Sequence, residues 1–393
     1  MPRARRWISA NGALHAAAAF WLGVLVVGEI IFAASTALFY GLTALRGDLH
    51  SWNKHLAHGY MPGDPMGNAM LVGHLVAAVL ITLSGAAQFI PAIRRRAPRL
   101  HRWNGRVFIV TACFLSLAGL YLVIARGTPT TPIQTFGTVV LGVLLIVCAG
   151  MAWRTALRRD FASHRRWALR LFLLTSSAIF IRTTISLVSV ILAGAGTLDV
   201  TVIQGPVETA VIFGQYCVPL AVLELYFWSQ TRGNAPARLA MAGTLVVLTL
   251  VMGAGIGAAS AAIFVPNIRS ALDKRPSIAL ALAETIKSGG VEAAVRQYRA
   301  LRAVRPMTMN FDEDELNVLG YDLLHAKQTQ AAVRILQLNT EAYPASGNTW
   351  DSLGEAYMDE GDKADAIANY RKSLAVNPAN RNAVTMLAKM GVK

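Results

Sequence analysis

Arg94-Arg95-Arg96-Ala97-Pro98-Arg99-Leu100-His101-Arg102-Trp103-Asn104-Gly105-Arg106 decides how this chain is read. It places six arginines between two long apolar runs. A second stretch of the same kind carries Arg154, Arg158, Arg159, Arg165, Arg166 and Arg170. Arg3, Arg5 and Arg6 precede the first run, and Arg232 and Arg238 lie between the last two. The intervening loops hold only Arg46, Lys54 and Arg126. Cations on alternate loops are the mark of a multi-pass membrane protein, because Lys and Arg near span ends stay on the cytoplasmic side.

Composition agrees. The chain is 54% hydrophobic and 15% charged, where a soluble domain carries roughly 25% charged residues. A bilayer core needs roughly 20 apolar residues in a helix. Seven segments qualify, at about 17–44, 70–91, 106–125, 134–153, 168–193, 207–228 and 239–265. Lipid satisfies no backbone hydrogen bonds, and the runs are too long for barrel strands. The expected fold is all-α: a polytopic seven-helix transmembrane bundle over 1–265, a linker over 266–278, and a small α-solenoid over 279–393. Met1–Trp7 resembles the start of a signal peptide, but the apolar stretch behind it is too long for one and contains Glu29. It reads as an uncleaved first span; cleavage near Ser35 would leave six.

The formal charge of +15 invites a nucleic-acid reading until it is mapped. Residues 1–265 hold 21 Lys and Arg against 7 Asp and Glu, and the remainder holds 16 against 15. The excess is a topology signal, and the expected partner is the lipid bilayer, with no nucleic acid. The N-terminus is expected in the cytoplasm of a bacterial cell, the spans in its inner membrane, and the tail in the periplasm or outside. Cys113, Cys148 and Cys217 all fall inside spans, so no disulfide framework is expected for the tail.

The tail repeats itself. Residues 347–380 align with 313–346 at a 34-residue offset, which pairs Leu319 with Leu353, Gly320 with Gly354, Ala332 with Ala366, Leu336 with Tyr370 and Pro344 with Pro378. A weaker unit places Ala294, Tyr298 and Pro306 before Ala332, Leu336 and Pro344. Trp350, Leu353, Gly354, Tyr357, Ala366, Tyr370 and Pro378 fit the tetratricopeptide pattern of paired helices. Small residues allow close approach, large ones fill the interface, and Pro378 stops the second helix. Arg381–Met390 suits a capping helix. The tail resembles a C-terminal tetratricopeptide module appended to various bacterial enzymes and membrane proteins. The resemblance implies docking rather than catalysis, with a protein partner held in the groove.

Two segments on the cytoplasmic side share a pattern: His101-Arg102-Trp103-Asn104-Gly105-Arg106 and His164-Arg165-Arg166-Trp167, with Arg170 beyond. Together with His74, Gly85, Gln88, Phe89, Arg94 and Arg182, these residues carry a resemblance over about 70–190 to the bacterial predicted-membrane-protein family called domain of unknown function 2306. The resemblance implies the membrane architecture and supplies no reaction.

Two chemistries compete for these segments. In one, Arg102, Arg106, Arg165 and Arg170 hold phosphate headgroups while the tryptophans anchor the interface. In the other, His101 and His164, at one depth on different spans, ligate the iron of a b-type haem, with His74 as a candidate at a second depth. Arg182 lies mid-span, where a charge is costly and marks either a buried pair or a functional site. Glu29 is its expected partner by depth, and a small-solute transporter built on that pair is a third reading. His50, His55 and His58 in the first outer loop lack a completing cysteine or acid and read as solvated; no metal site is expected. Gly253, Gly255 and Gly257 read as helix packing, with a homo-oligomer as one use of that face. No phosphate loop, zinc-protease motif or serine elbow is present, so the common enzyme classes are not expected.

Overall fold

The computed structural model describes residues 9–54, 56, 59–126, 131–194, 207–304, 308–378 and 380–392. Arg3, Arg5, Arg6, His55, His58 and Pro306 lie outside the described residues. Among the described residues the chain is helical, with no strand and one isolated bridge between Ser277 and Asn310. It divides into two compact units. The first takes in residues up to 42, then 61–197 and 204–271; the second takes in Thr43–Tyr60 and Leu272–Lys393.

The first unit holds α1 (Ala10–Leu45), α2 (Pro65–Gln88), α3 (Pro91–Arg96), α4 (Pro98–Ile124), α5 (Pro132–Leu157), α6 (Phe161–Thr175), α7 (Ser177–Gly194), α8 (Glu208–Thr231), α9 (Ala235–Ala259) and, after a π-turn over Ser260–Phe264, α10 (Val265–Leu272). Among the described residues six helical spans are long and apolar enough to cross a membrane, or seven if the bent pair α6–α7 counts as one. Their outer faces are apolar too: Val72, Val76, Leu80 and Leu83 line one side of α2, and Val110, Phe114 and Leu117 one side of α4, all exposed. A water-facing helix would carry polar groups there; these faces suit lipid.

The fifth expected span differs from its sequence reading. It is broken, with α6 and α7 meeting at 47°. The Thr175 and Ser176 hydroxyls both donate to the Phe172 carbonyl, at 2.8 and 2.9 Å. Hydroxyls that bond back to the preceding turn compete with the helical ladder and bend it. The helices also start earlier than the apolar runs. Pro98 opens α4, and the Asp160 carboxylate accepts from the Ser163 N–H at 3.1 Å to cap α6. Proline at a first helical position and an acidic cap are ordinary starts. His101 and His164 therefore stand in the first turns of helices. The expected linker is partly helical as well, since α10 runs to Leu272.

Leu25, Phe32, Phe108, Leu171, Phe172, Ile179, Phe180 and Ile256 form the main core of this unit. Close approach is concentrated at small residues. A Cβ on Gly255 would meet Thr183 at 3.0 Å, whereas Gly253 and Gly257 face open space. Only the middle glycine of that stripe serves a contact inside the chain.

The second unit holds a 3-10 turn, His50–Lys54, then α11 (Ile278–Gly289), α12 (Val291–Ala303), α13 (Glu313–His325), α14 (Thr329–Ala342), α15 (Gly347–Glu360), α16 (Lys363–Val376) and α17 (Arg381–Lys389). The helices pack as consecutive pairs, α11 with α12, α13 with α14 and α15 with α16. First helices also touch first helices, α11 to α13 to α15, and α17 closes on α15 and α16. Ile278, Leu282, Tyr298, Leu316, Leu319 and Leu336 are buried between them. A Cβ on Gly354 would come within 2.9 Å of the Tyr370 ring, and one on Gly320 within 2.6 Å of Leu336. The 34-residue offset is thus matched by two equivalent close contacts. Leu353 and Ala366 are buried and Tyr370 is fully so. Trp350 is only partly buried: its indole N–H donates to the Pro344 carbonyl at 2.9 Å, and Lys372 Nζ lies 4.6 Å from its ring centre.

Candidate functional site

Three polar groupings stand out, two in the first unit and one in the second. At the end of the spans rich in arginine, α2 and α4 are joined by amide chemistry. Asn104 Nδ2 donates to the Ser84 carbonyl at 2.8 Å, and the Ser84 hydroxyl donates to Asn104 Oδ1 at 3.0 Å. Gln88 Nε2 donates to the His101 carbonyl at 3.4 Å. These contacts fix the first turns of α4. His101 Nδ1 is buried there without a hydrogen-bond partner, and His101 lies within electrostatic reach of His164 and Arg94.

His164 is held differently. Its Nδ1 lies 2.9 Å from the Ala152 carbonyl. A carbonyl only accepts, so Nδ1 carries the hydrogen, and a neutral ring leaves a lone pair on Nε2. The structure thus brings His101 and His164 into one neighbourhood. Of the arginines expected at headgroup level, Arg106 lies over Trp103 at 4.8 Å and Arg170 over Trp167 at 4.6 Å. Arg170 is also paired with Glu224 at 2.7 Å. That pair was not anticipated, although both residues lie near the same span ends.

Deeper in the bundle the expected pair does not form. Arg182 and Glu29 make no ion pair. The Arg182 guanidinium stands 4.9 Å from the Phe32 ring centre and donates to the Ala178 carbonyl at 2.9 Å. The side chain is satisfied by its own helix and an aromatic face, which depth matching in sequence cannot foresee. Glu29 is 6% exposed. Its Oε2 lies 3.1 Å from the Thr82 hydroxyl, and its Oε1 is buried with no partner. His74 belongs with Arg182 and not with His101: it sits within electrostatic reach of that guanidinium, and its Nδ1 is buried with no hydrogen-bond partner. A methyl group on Gly119 would lie 3.2 Å from His74 Cε1, so a small residue is needed to seat the ring.

The third grouping lies wholly in the second unit, where the His50–Lys54 turn packs on α13. Lys54 Nζ reaches Glu315 Oε1 at 2.5 Å, and His50 Nδ1 reaches Asp322 Oδ2 at 2.6 Å. Asn53 Nδ2 donates to Asp322 Oδ1 at 3.3 Å and to the Tyr60 carbonyl at 3.0 Å. His50 was expected to be solvated and is instead bonded, because an acid 272 residues away completes what its own loop lacks. The Asp322 hydrogen bond holds the His50 imidazolium above its ordinary value of 6.5, against partial burial. Further along, Asp351, Glu355 and Asp359 recur every four residues on α15, so they share one face. Asn382 Nδ2 donates to Asp351 at 2.9 Å and to Glu355 at 2.5 Å. Burial pushes the Asp351 carboxyl up to about 6. Tyr321, Leu324, His325, Glu355, Met358 and Met386 line a pocket between α13, α15 and α17.

Among the described residues no group of three or more His, Cys, Asp or Glu side chains is placed to hold a metal ion. No curated protein and no solved structure matches the chain. Residues 71–218, which span α2 to the middle of α8 and include His74, His101, His164 and Arg182, match the family described as Predicted membrane protein (DUF2306).

Proposed function

We infer that this is a seven-span membrane protein whose tail is a tetratricopeptide-type domain on the extracytoplasmic side, serving to hold a segment of a protein partner. The observation that supports this reading is the packing of His50–Lys54 on α13. Those residues connect α1 to α2, and the tail follows α9 and α10. Both must lie on one side of the membrane to touch. An even number of crossings from α2 onward is therefore required. It is met only if the broken pair α6–α7 crosses as one span. With the N-terminus held inside by its arginines, loop and tail both emerge outside. Asp351, Glu355 and Asp359, on one face of α15, favour a partner segment that is basic. Alkaline phosphatase fused after the last residue should be active and a cytosolic reporter silent; the reverse overturns the orientation. Deleting 275–393 should leave membrane insertion intact and abolish crosslinking to the partner captured by the full chain.

A second reading is transmembrane electron transfer through a b-type haem. It is favoured by one observation: His101 Nδ1 is buried and unpartnered, and Nδ1 of the neighbouring His164 is held by the Ala152 carbonyl. A hydrogen bond to the other ring nitrogen is how axial histidines are oriented. Purified protein from haem-replete cells should then show a Soret band, lost in His101→Ala and His164→Ala. A colourless, folded preparation removes this reading.

A further inference from the structure

We propose that Glu29 is a proton-binding site in the membrane interior, a neutral carboxylic acid whose hydrogen is held between Oε2 and the hydroxyl oxygen of Thr82.

The hydrogen count leads there. A hydroxyl has one hydrogen to give. Thr82 Oγ1 lies 2.9 Å from the Ala78 carbonyl and 3.1 Å from Glu29 Oε2. Ser176 Oγ, the second hydroxyl beside Glu29, lies 2.9 Å from the Phe172 carbonyl. Carbonyl oxygens only accept. A Thr82 hydroxyl that gives its one hydrogen to the closer Ala78 carbonyl turns a lone pair toward the carboxyl. An acceptor facing a carboxylate would repel it. The contact is favourable when the carboxyl itself carries the hydrogen.

Charge points the same way. Glu29 is 6% exposed, midway along a 36-residue helix. A bare carboxylate in such a place is costly unless a cation meets it, and the usual resolution is neutralisation. The groups facing Glu29 are Thr82 from α2 and Ser176 from the break between α6 and α7, and neither is charged. Arg182 on α7 is engaged by Phe32 and the Ala178 carbonyl and makes no ion pair with Glu29. Oε1 has no donor at all. An unpaired carbonyl-like oxygen costs far less than an unpaired anionic one. The site also touches the one bent span, at Ser176.

Dicyclohexylcarbodiimide, an apolar carbodiimide, tests this on the full-length protein in detergent. The acid O–H adds across a C=N bond: its proton goes to nitrogen and its oxygen to the central carbon, and an acyl shift to nitrogen leaves a stable acylurea with no atom lost. The peptide containing Glu29 should gain one carbodiimide mass at neutral pH, should lose that labelling at alkaline pH, and should be indifferent to sodium. Infrared spectroscopy reads the same group without access of a reagent. The C=O band of a non-ionised acid should be present in the wild type and missing in Glu29→Gln. It should move to higher wavenumber in Thr82→Val, which keeps the acid and removes an acceptor. A wild-type spectrum with only a carboxylate band for Glu29 overturns the proposal. Labelling suppressed by sodium at fixed pH also overturns it, in favour of a metal cation at the carboxylate.

Discussion

Lys54 Nζ and Glu315 Oε1 stand 2.5 Å apart, with side chains only 6% and 2% exposed. Glu315 is further held by the Ser277 hydroxyl, the Ala279 N–H at 3.2 Å and the Asn310 amide at 3.2 Å. Lys54 reaches into that cage from a loop 261 positions away. Removing one partner of a buried pair leaves an uncompensated charge, at a cost of about 3–5 kcal/mol. Glu315→Ala strands the ammonium and strips three other donors of their acceptor, so it should be the worse variant. Lys54→Ala leaves the carboxylate with neutral donors and should cost less. Lys54→Met with Glu315→Met should fall below Glu315→Ala alone. Urea-dependent proteolysis of the tail in the full chain measures all three; equal sensitivity across them would remove the pair from the account.

The neighbouring His50–Asp322 bond makes the same contact sensitive to pH. Asp322 raises the imidazolium above its ordinary 6.5. A group whose folded value is raised binds its proton more tightly when folded. Its contribution is complete below pH 6.5 and is lost as pH climbs through the raised value. The pair is partly exposed, with the histidine at 32%, so the effect lies within the about 1 kcal/mol of such pairs. Protection of residues 43–54 from protease should weaken as pH rises above 6.5 through the raised value, and His50→Gln should flatten that dependence.

Asp351 shifts in the same direction for another reason. Burial raises it to about 6 from 3.8, and Glu355 on the same face adds repulsion, while Asn382 opposes both. The folded state favours the protonated acid, so stability is highest below pH 3.8 and falls as pH passes about 6. Asp351→Asn keeps the shape and removes the charge. It should raise the thermal midpoint at neutral pH and leave acid stability unchanged. A lower midpoint at neutral pH would mean that the carboxylate is engaged by a cation the fold supplies.

The helices of both units were legible because their signals are local. Long apolar runs and alternate arginine loops locate spans, and Gly320 with Gly354 announces two close approaches at one offset. What sequence could not reach depends on partners distant in the chain. Nothing near Lys54 says that Glu315 awaits it. Depth alone pairs Arg182 with Glu29, but depth does not fix the direction a helix face points, and the guanidinium lies over Phe32. The break at Ser176 was hidden because Thr175 and Ser176 are ordinary residues in a membrane helix until both hydroxyls turn back onto Phe172. The shared motif singles out His101 and His164, while the hydrogen bond that orients His164 comes from Ala152, in the preceding helix.

The separation of Arg182 from Glu29 has an energetic signature. Residues that pair directly couple by about 0.5–3 kcal/mol in a double-mutant cycle, whereas independent ones add to within about 0.5 kcal/mol. Arg182→Leu removes a mid-span charge whose insertion costs about 2.5–3.5 kcal/mol, and loses one hydrogen bond to Ala178 and the face of Phe32. The two effects oppose each other, so the variant should insert at least as well as the wild type. Glu29→Gln imitates the neutral acid and should be nearly silent in stability. The double variant should equal the sum of the two. Thermal midpoints of the three purified proteins, with insertion measured by a glycosylation reporter, complete the cycle. A strongly destabilised Glu29→Gln that Arg182→Leu rescues would show that the two charges meet after all, and would remove the neutral carboxyl with them.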